Sequence, residues 1–156
     1  MPEPLGPRDS ETRRQDALYR LGHDVDAWVA TTDADSGAPR LTPLSFLWHD
    51  DAMLFATTTG SPTGRNLAAN PSVQVGLGLT RDVVLVQGTV DVTPADSLDR
   101  ELGDAFAGKA GFDPRRQAGL YSYFRLTPHS IQVWREEDEL AGRWLMRDGA
   151  WTVQRS

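Results

Sequence analysis

Short runs of alternating apolar and polar residues, each closed by a tight-turn signal, fill most of this sequence and restrict it to a strand-rich fold. The runs at 27–32, 40–48, 53–58, 72–79 and 83–93 are separated by Asp33-Ala34-Asp35-Ser36-Gly37, His49-Asp50-Asp51, Gly60-Ser61-Pro62, Asn70-Pro71 and Arg81-Asp82. Such turns join neighbouring strands as hairpins, whereas parallel neighbours need long crossovers, so the sheet must be mostly antiparallel. Further strands are expected at 120–126 and 130–135, divided by Thr127-Pro128, and at 143–146 and 151–153 around Asp148-Gly149, a strong two-residue hairpin signal. The tally, about seven or eight short strands with a few short helices, is that of a mainly β, α+β chain closing into a barrel.

Side-chain alternation assigns the faces. Thr42, Leu44, Phe46 and Trp48 share one side of the second strand and Leu41, Pro43, Ser45 and Leu47 the other. Pro43 cannot donate to a ladder and belongs at an edge or bulge. In the 72–79 strand, Gly76 and Gly78 leave bare backbone that another group can approach. The 83–93 strand is apolar on both sides: Val84, Val86, Val90 and Val92 on one, Val83 and Leu85 leading to Gln87 on the other. A strand of that kind is covered twice, and in a chain of 156 residues a second subunit is a plausible cover, a first indication of a homodimer.

The helices are short. Leu18 and Leu21, closed by Gly22, mark an amphipathic helix from Glu11; Thr93 as N-cap and Pro94 at the first position mark another, with Leu98, Leu102, Ala105 and Phe106 turned to the sheet. A loop is expected at 108–114, a helical turn at 114–118, and a solvated acidic loop at Glu136-Glu137-Asp138-Glu139. Residues 1–10 read as a mobile tail and 11–156 as one domain.

The stretch 55–70, FATTTGSPTGRNLAAN, runs from a strand into a helix start. Unpaired N–H groups and the dipole at such a start attract anions. Hydroxyls of Thr57, Thr58, Thr59, Ser61 and Thr63 add donors, and Arg65 adds a planar cationic fork. The same residues also describe an ordinary capped turn, with Ser61 as N-cap and Pro62 at the first helical position. Both readings stay open on the sequence.

Composition closes other routes. A net charge of −6 argues against a nucleic-acid binder, and the absence of cysteine removes disulfides, thiolate metal sites and cysteine nucleophiles. His23, His49 and His129 are not in ligand spacing, and neither a nucleophile elbow nor a dinucleotide fingerprint occurs. No apolar run has the length of a signal peptide or membrane helix, so a cytoplasmic protein is expected.

Three segments carry a family resemblance: Gly37-Ala38-Pro39-Arg40-Leu41-Thr42-Pro43-Leu44; Arg65-Asn66-Leu67 with Asn70-Pro71-Ser72-Val73; and Leu126-Thr127-Pro128-His129 through Trp134-Arg135. In this order and at these separations, over roughly residues 17–153, the chain resembles the pyridoxamine 5′-phosphate oxidase-like family of split β-barrels, which bind FMN or deazaflavin. The resemblance implies a homodimer with the cofactor in a groove between subunits and a small-molecule substrate. It implies Leu41, Thr42, Pro43 and Leu44 along the ring edge, Thr57 and Thr58 at the ribityl chain and phosphate, and Thr63, Arg65 and Asn66 at the phosphate. Gln87 would reach the cofactor from the partner, and Trp144 would cover the ring. Many members carry Lys where this chain has Thr63. The activity implied is FMN-dependent oxidoreduction of a small organic substrate. The alternatives are a reductase using the deazaflavin coenzyme F-420, a non-enzymatic flavin- or haem-binding module, and a structural dimer with an empty groove.

Overall fold

The computed structural model describes residues 6–152. Six strands close on themselves: β1 (Asp26–Thr32), β2 (Pro39–His49), β3 (Ala52–Thr58), β4 (Ser72–Leu77), β5 (Val83–Pro94) and β6 (Tyr121–Trp134). They lie in the order β3-β2-β1-β4-β5-β6, and β3 pairs with β6 to complete the barrel. The strands β7 (Trp144–Arg147) and β8 (Ala150–Trp151) extend the sheet beyond β6. Every pairing is antiparallel, as the hairpin turns require, and the result is a split β-barrel of α+β class. Asp148 and Gly149 both take positive φ at the β7–β8 turn, as a type I′ hairpin demands.

The barrel interior is filled by Val29, Phe46, Met53, Phe55, Val75, Val86, Phe124, Leu126 and Ile131, all at most 1% exposed. Helix α1 (Ser10–His23) adds Ala17 and Leu21 to this core, and α2 (Pro62–Ala69) adds Leu67. Helix α3 (Arg100–Ala110) covers the outside of β3 and β6, where Phe106 packs with Leu54, Ala56 and Tyr123. Strand β3 is therefore buried on both faces within one chain. The outer face of β5 is not: Val83 and Leu85 are half-buried and Gln87 is exposed. Among the described residues, no helix is long and apolar enough to cross a membrane.

Pro43 sits where its chemistry permits. It faces Trp28 on β1, while β3 pairs with β2 only from Phe46 to His49, so the Pro43 stretch is an edge on that side.

Several expectations are corrected. The two strands expected around Thr127-Pro128 are one strand, β6. It stays continuous because a bulge against β5 sets Gln87 opposite Ser130 and Gly88 opposite Pro128, leaving His129 as the extra residue. A side chain at Gly88 would collide with the Thr127 carbonyl, so glycine admits the bend. Pro94 ends β5, paired with Ser122, and is followed only by a single 3-10 turn at Ala95–Ser97; the α-helix α3 starts later, with Asp99 accepting from the Leu102 N–H at 3.2 Å. That helix runs to Ala110, three residues into the expected 108–114 loop, and Ala105 faces solvent.

Strand β4 stops at Leu77, leaving Leu79 74% exposed, and Val92, 44% exposed, does not share the buried face of β5. The bare backbone expected on β4 is filled from within, with Leu85 over Gly76 and the Arg20 guanidinium against Gly78. The acidic run is not wholly solvated either. Glu139 is 2% exposed and takes Arg8 Nη2 at 2.7 Å, Arg8 Nε at 2.9 Å and the Arg135 N–H at 2.8 Å. Arg8 is thereby fixed and Asp9 caps α1, so the expected mobile tail does not extend to them; positions 1–5 and Val153 of the final expected strand lie outside the described residues.

Candidate functional site

The expected site residues fall into two groups. The first surrounds the start of α2. Ser61 caps this helix: its Oγ accepts from the Gly64 N–H at 3.0 Å and its carbonyl from the Arg65 N–H at 2.9 Å. Pro62 has no N–H, so among the described residues Thr63 supplies the open amide of the first turn. Gly64 lets the turn lie directly on the end of β3, because a Cβ there would strike the Thr58 carbonyl. Thr57 Oγ1 stands 3.5 Å from Ser61 Oγ, and Thr58 accepts through its carbonyl from the Ser61 hydroxyl at 2.9 Å.

Thr63 is buried, and its Oγ1 meets two side chains from β2: Thr42 Oγ1 at 2.9 Å and Arg40 Nε at 3.2 Å. Arg65 turns back, donating from Nη1 to the Gly60 carbonyl at 2.9 Å. The buried Asn66 donates to Thr31 Oγ1 at 3.1 Å, tying α2 to β1. Between these groups and the β1–β2 turn lies an open hollow of about 220 Å³, lined by Asp33, Ser36, Pro39, Arg40, Arg65 and Asn66. Hydrogen bonds from the Ser36 and Asp35 amides and the Ser36 hydroxyl, with a smaller contribution from Arg65, hold the Asp33 carboxyl below its ordinary range. Two guanidiniums on the lining, with the Thr63 hydroxyl and amide just behind Arg40, form a donor set suited to an anion, and the Asp33 carboxylate on the same lining offsets one of the two charges.

Leu41 and Pro43 point out of the barrel on the same strand, and Leu44 packs against its core. Leu41 is 62% exposed and lies in one outward row with Ala30, Gln74, Gln87 and Ser130 across β2, β1, β4, β5 and β6.

The second group is Gln87 and Trp144. They line a separate hollow of about 340 Å³ with Thr89, His129, Ser130 and Arg147. Three strand spacings separate Leu41 from Gln87, about 14 Å across the outer face. One chain thus does not bring Gln87 and Trp144 to the first hollow.

Arg40 was not among the expected site residues. Its signal was the two-residue alternation of β2, which puts Arg40 on the side of Thr42, toward the helix start. His129 and Arg147 carried no local signal; a bulge and a hairpin brought them together.

The family model described as pyridoxamine 5′-phosphate oxidase matches residues 25–135. No curated protein matches the chain. Among solved structures, a Listeria innocua protein named as a pyridoxamine 5′-phosphate oxidase superposes with a TM-score of 0.61 at 14% identity, covering 76% of this chain and 95% of that one. A structure named F420 Reductase gives 0.57 at 24% identity, with 72% and 93% covered. General Stress Protein 26 of Bacillus anthracis gives 0.60 at 19% identity, with 80% and 96% covered. These structures share the fold, and the sequence match, which spans all six barrel strands, places the chain in the pyridoxamine 5′-phosphate oxidase family.

Proposed function

We propose that the protein is a flavin-dependent oxidoreductase acting on a small organic substrate, a homodimer that holds FMN between its subunits. The observation that carries this reading is the contact of Arg40 Nε with Thr63 Oγ1 beside the open amide of α2. Where many members of the family carry a lysine at the Thr63 position, the positive charge beside Thr63 in this chain would come from Arg40 on β2. The cofactor phosphate would be held by Arg40, Arg65, the Thr63 hydroxyl and the Thr63 amide. Leu41 and Pro43 would lie along the ring, with Thr42 and Leu44 fixing their strand, and Thr57 and Thr58 would flank the ribityl chain. Asn66 would act by holding α2 against β1. Gln87 and Trp144 of a second subunit would complete the site, which accounts for their standing apart from the first hollow in one chain.

When bound, the flavin ring supplies hydride acceptance and return. The chain's part is to fix the phosphate, keep the ring against apolar Leu41 and Pro43, and exclude water on the partner side through Trp144. The likeness to a structure named F420 Reductase makes the deazaflavin coenzyme the second reading. Its acidic tail would be disfavoured by a chain of net charge −6.

Titration of the purified protein with FMN and with the deazaflavin, followed by absorption, tests both. FMN should bind at one per subunit, and Arg40→Ala should weaken it by about ten- to a hundredfold, the scale of a lost charge-assisted hydrogen bond. Unchanged affinity in the variant would remove Arg40 from the site. Binding of neither cofactor would overturn the proposal.

A further inference from the structure

We propose that the second hollow, between the β5–β6 bulge and the β7–β8 hairpin, binds a small planar carboxylate, with Arg147 and Trp144 as its recognition pair. Its use as the substrate position of an oxidoreductase rests on the flavin reading above; the binding itself does not.

The hollow is built from rigid parts. Its floor is the bulge, where Gly88 lets β6 approach β5, and where His129 Nε2 meets Thr89 Oγ1 at 3.3 Å. Its wall is the hairpin, tied to the bulge by the Gly149 N–H donating to the His129 carbonyl at 2.9 Å, and held from behind by Thr152 Oγ1 donating to the Trp144 carbonyl at 3.1 Å. At about 340 Å³ it lies near the lower end of ligand-binding pockets, so it suits one ring and its substituents.

The two arginines beside Trp144 differ. Arg143 is engaged, its Nε on Gln132 Oε1 at 3.0 Å and its Nη1 on the Leu140 carbonyl at 3.0 Å. Arg147 has its guanidinium carbon 4.9 Å from the centroid of the Trp144 ring, and among the described residues its side chain makes no ion pair or hydrogen bond. The indole therefore positions a planar cation whose N–H edges remain available. A carboxylate matches that fork with two parallel hydrogen bonds, and the indole presents apolar surface to an attached ring. Gln87, Thr89 and Ser130 offer uncharged groups to orient it. Asp148, also on the lining, offsets one positive charge and disfavours a phosphate dianion relative to a singly charged carboxylate.

Calorimetric titration with benzoate tests this, on the protein as purified and on protein saturated with FMN. Benzamide keeps the ring without the charge, cyclohexanecarboxylate the charge without the plane, and phenyl phosphate doubles the charge. Benzoate should bind saturably and more tightly than all three. Arg147→Ala should weaken it by about ten- to a hundredfold, Arg147→Lys should restore only part of the loss, and Trp144→Leu should abolish the preference over cyclohexanecarboxylate. Circular dichroism identifies any variant that fails to fold, and benzamide and phenyl phosphate then decide the matter on the unaltered protein.

Absent benzoate binding, equal affinity in folded Arg147→Ala, tighter binding of phenyl phosphate, or displacement of benzoate by FMN each overturns the proposal. FMN binding without benzoate binding would overturn the subsite and leave the flavin reading standing. Benzoate binding without FMN binding would do the reverse.

Discussion

At the scale of single residues, position decides what each charge does. Arg8 and Glu139 form an ion pair whose side chains are 10% and 3% exposed, joining the segment before α1 to the turn after β6. The hydrogen bonds from Arg8 are the main reason the Glu139 carboxyl is lowered from 4.5 to about 2, with the Arg135 amide adding to them against the cost of burial. A carboxyl with a depressed folded-state value contributes stability that is complete above its unfolded value and lost as pH falls through the folded one. Here that window runs from pH 4.5 down to about 2. Replacing Glu139 by Ala leaves the buried Arg8 guanidinium with only the more exposed Asp16 as its carboxylate partner, at 3.0 Å, and should cost about 2–3 kcal/mol at neutral pH. Urea unfolding of both proteins at pH 7 and across the acid window checks this, because the variant should lack the wild type's additional acid loss. Parallel acid profiles would show that the pair does not stabilise the fold.

At the scale of elements, the bulge between β5 and β6 shapes both the barrel and the second hollow. Gly88→Ala drives a methyl group into the Thr127 carbonyl, a backbone atom that moves only with its strand. The expected cost is about 2–3 kcal/mol, as for overpacking elsewhere, seen as a lower melting temperature. A change that small should leave the barrel folded; an unchanged melt would mean that β6 yields locally. The bulge also marks the limit of what the sequence discloses. Local chemistry was legible: Asp148-Gly149 made its hairpin, Ser61-Pro62 its helix start, and the alternation of β2 faced Phe46 to the core. What failed was non-local. Pro128 reads as a break because the glycine that accommodates its bend is on another strand. Thr93-Pro94 reads as a cap because its pairing with β6 is invisible along the chain. In the site, the 55–70 stretch signalled a capped helix start, but Arg40, on a different strand, emerged only when β2 was laid beside α2. An acidic run likewise gives no sign that Glu139 points inward.

At the scale of the molecule, the inner barrel surface is filled while one outer surface stays apolar and uncovered. Trp28 is 50% and Leu41 62% exposed, on adjacent strands that bring Pro43 opposite Trp28. Leu85, two strands further on, lies half-buried over Gly76. The outer face of β3, by contrast, is sealed by α3. Contiguous apolar surface of this kind marks an interaction site more often than a solvated face. Trp28, Pro43 and Leu85 flank the outer row that runs from Leu41 through Ala30 and Gln74 to Gln87 between the two groups of candidate residues, so a two-fold partner seated there is what the shared-groove proposal requires. Leu41→Asp with Trp28→Asp places charges on this face without touching the core, and a folded monomer is the expected product. Sedimentation should give the dimer mass for the wild type at micromolar concentration and the monomer mass for the double variant. FMN affinity should fall with the dimer, because Gln87 and Trp144 of the partner would no longer reach the cofactor, and Trp28→Asp alone should show the same fall without touching Leu41 at the ring. A monomeric wild type that binds FMN would place the whole cofactor site within one chain. A dimeric double variant would move the interface off this face, and with it the explanation for the separation of Gln87 from Arg40.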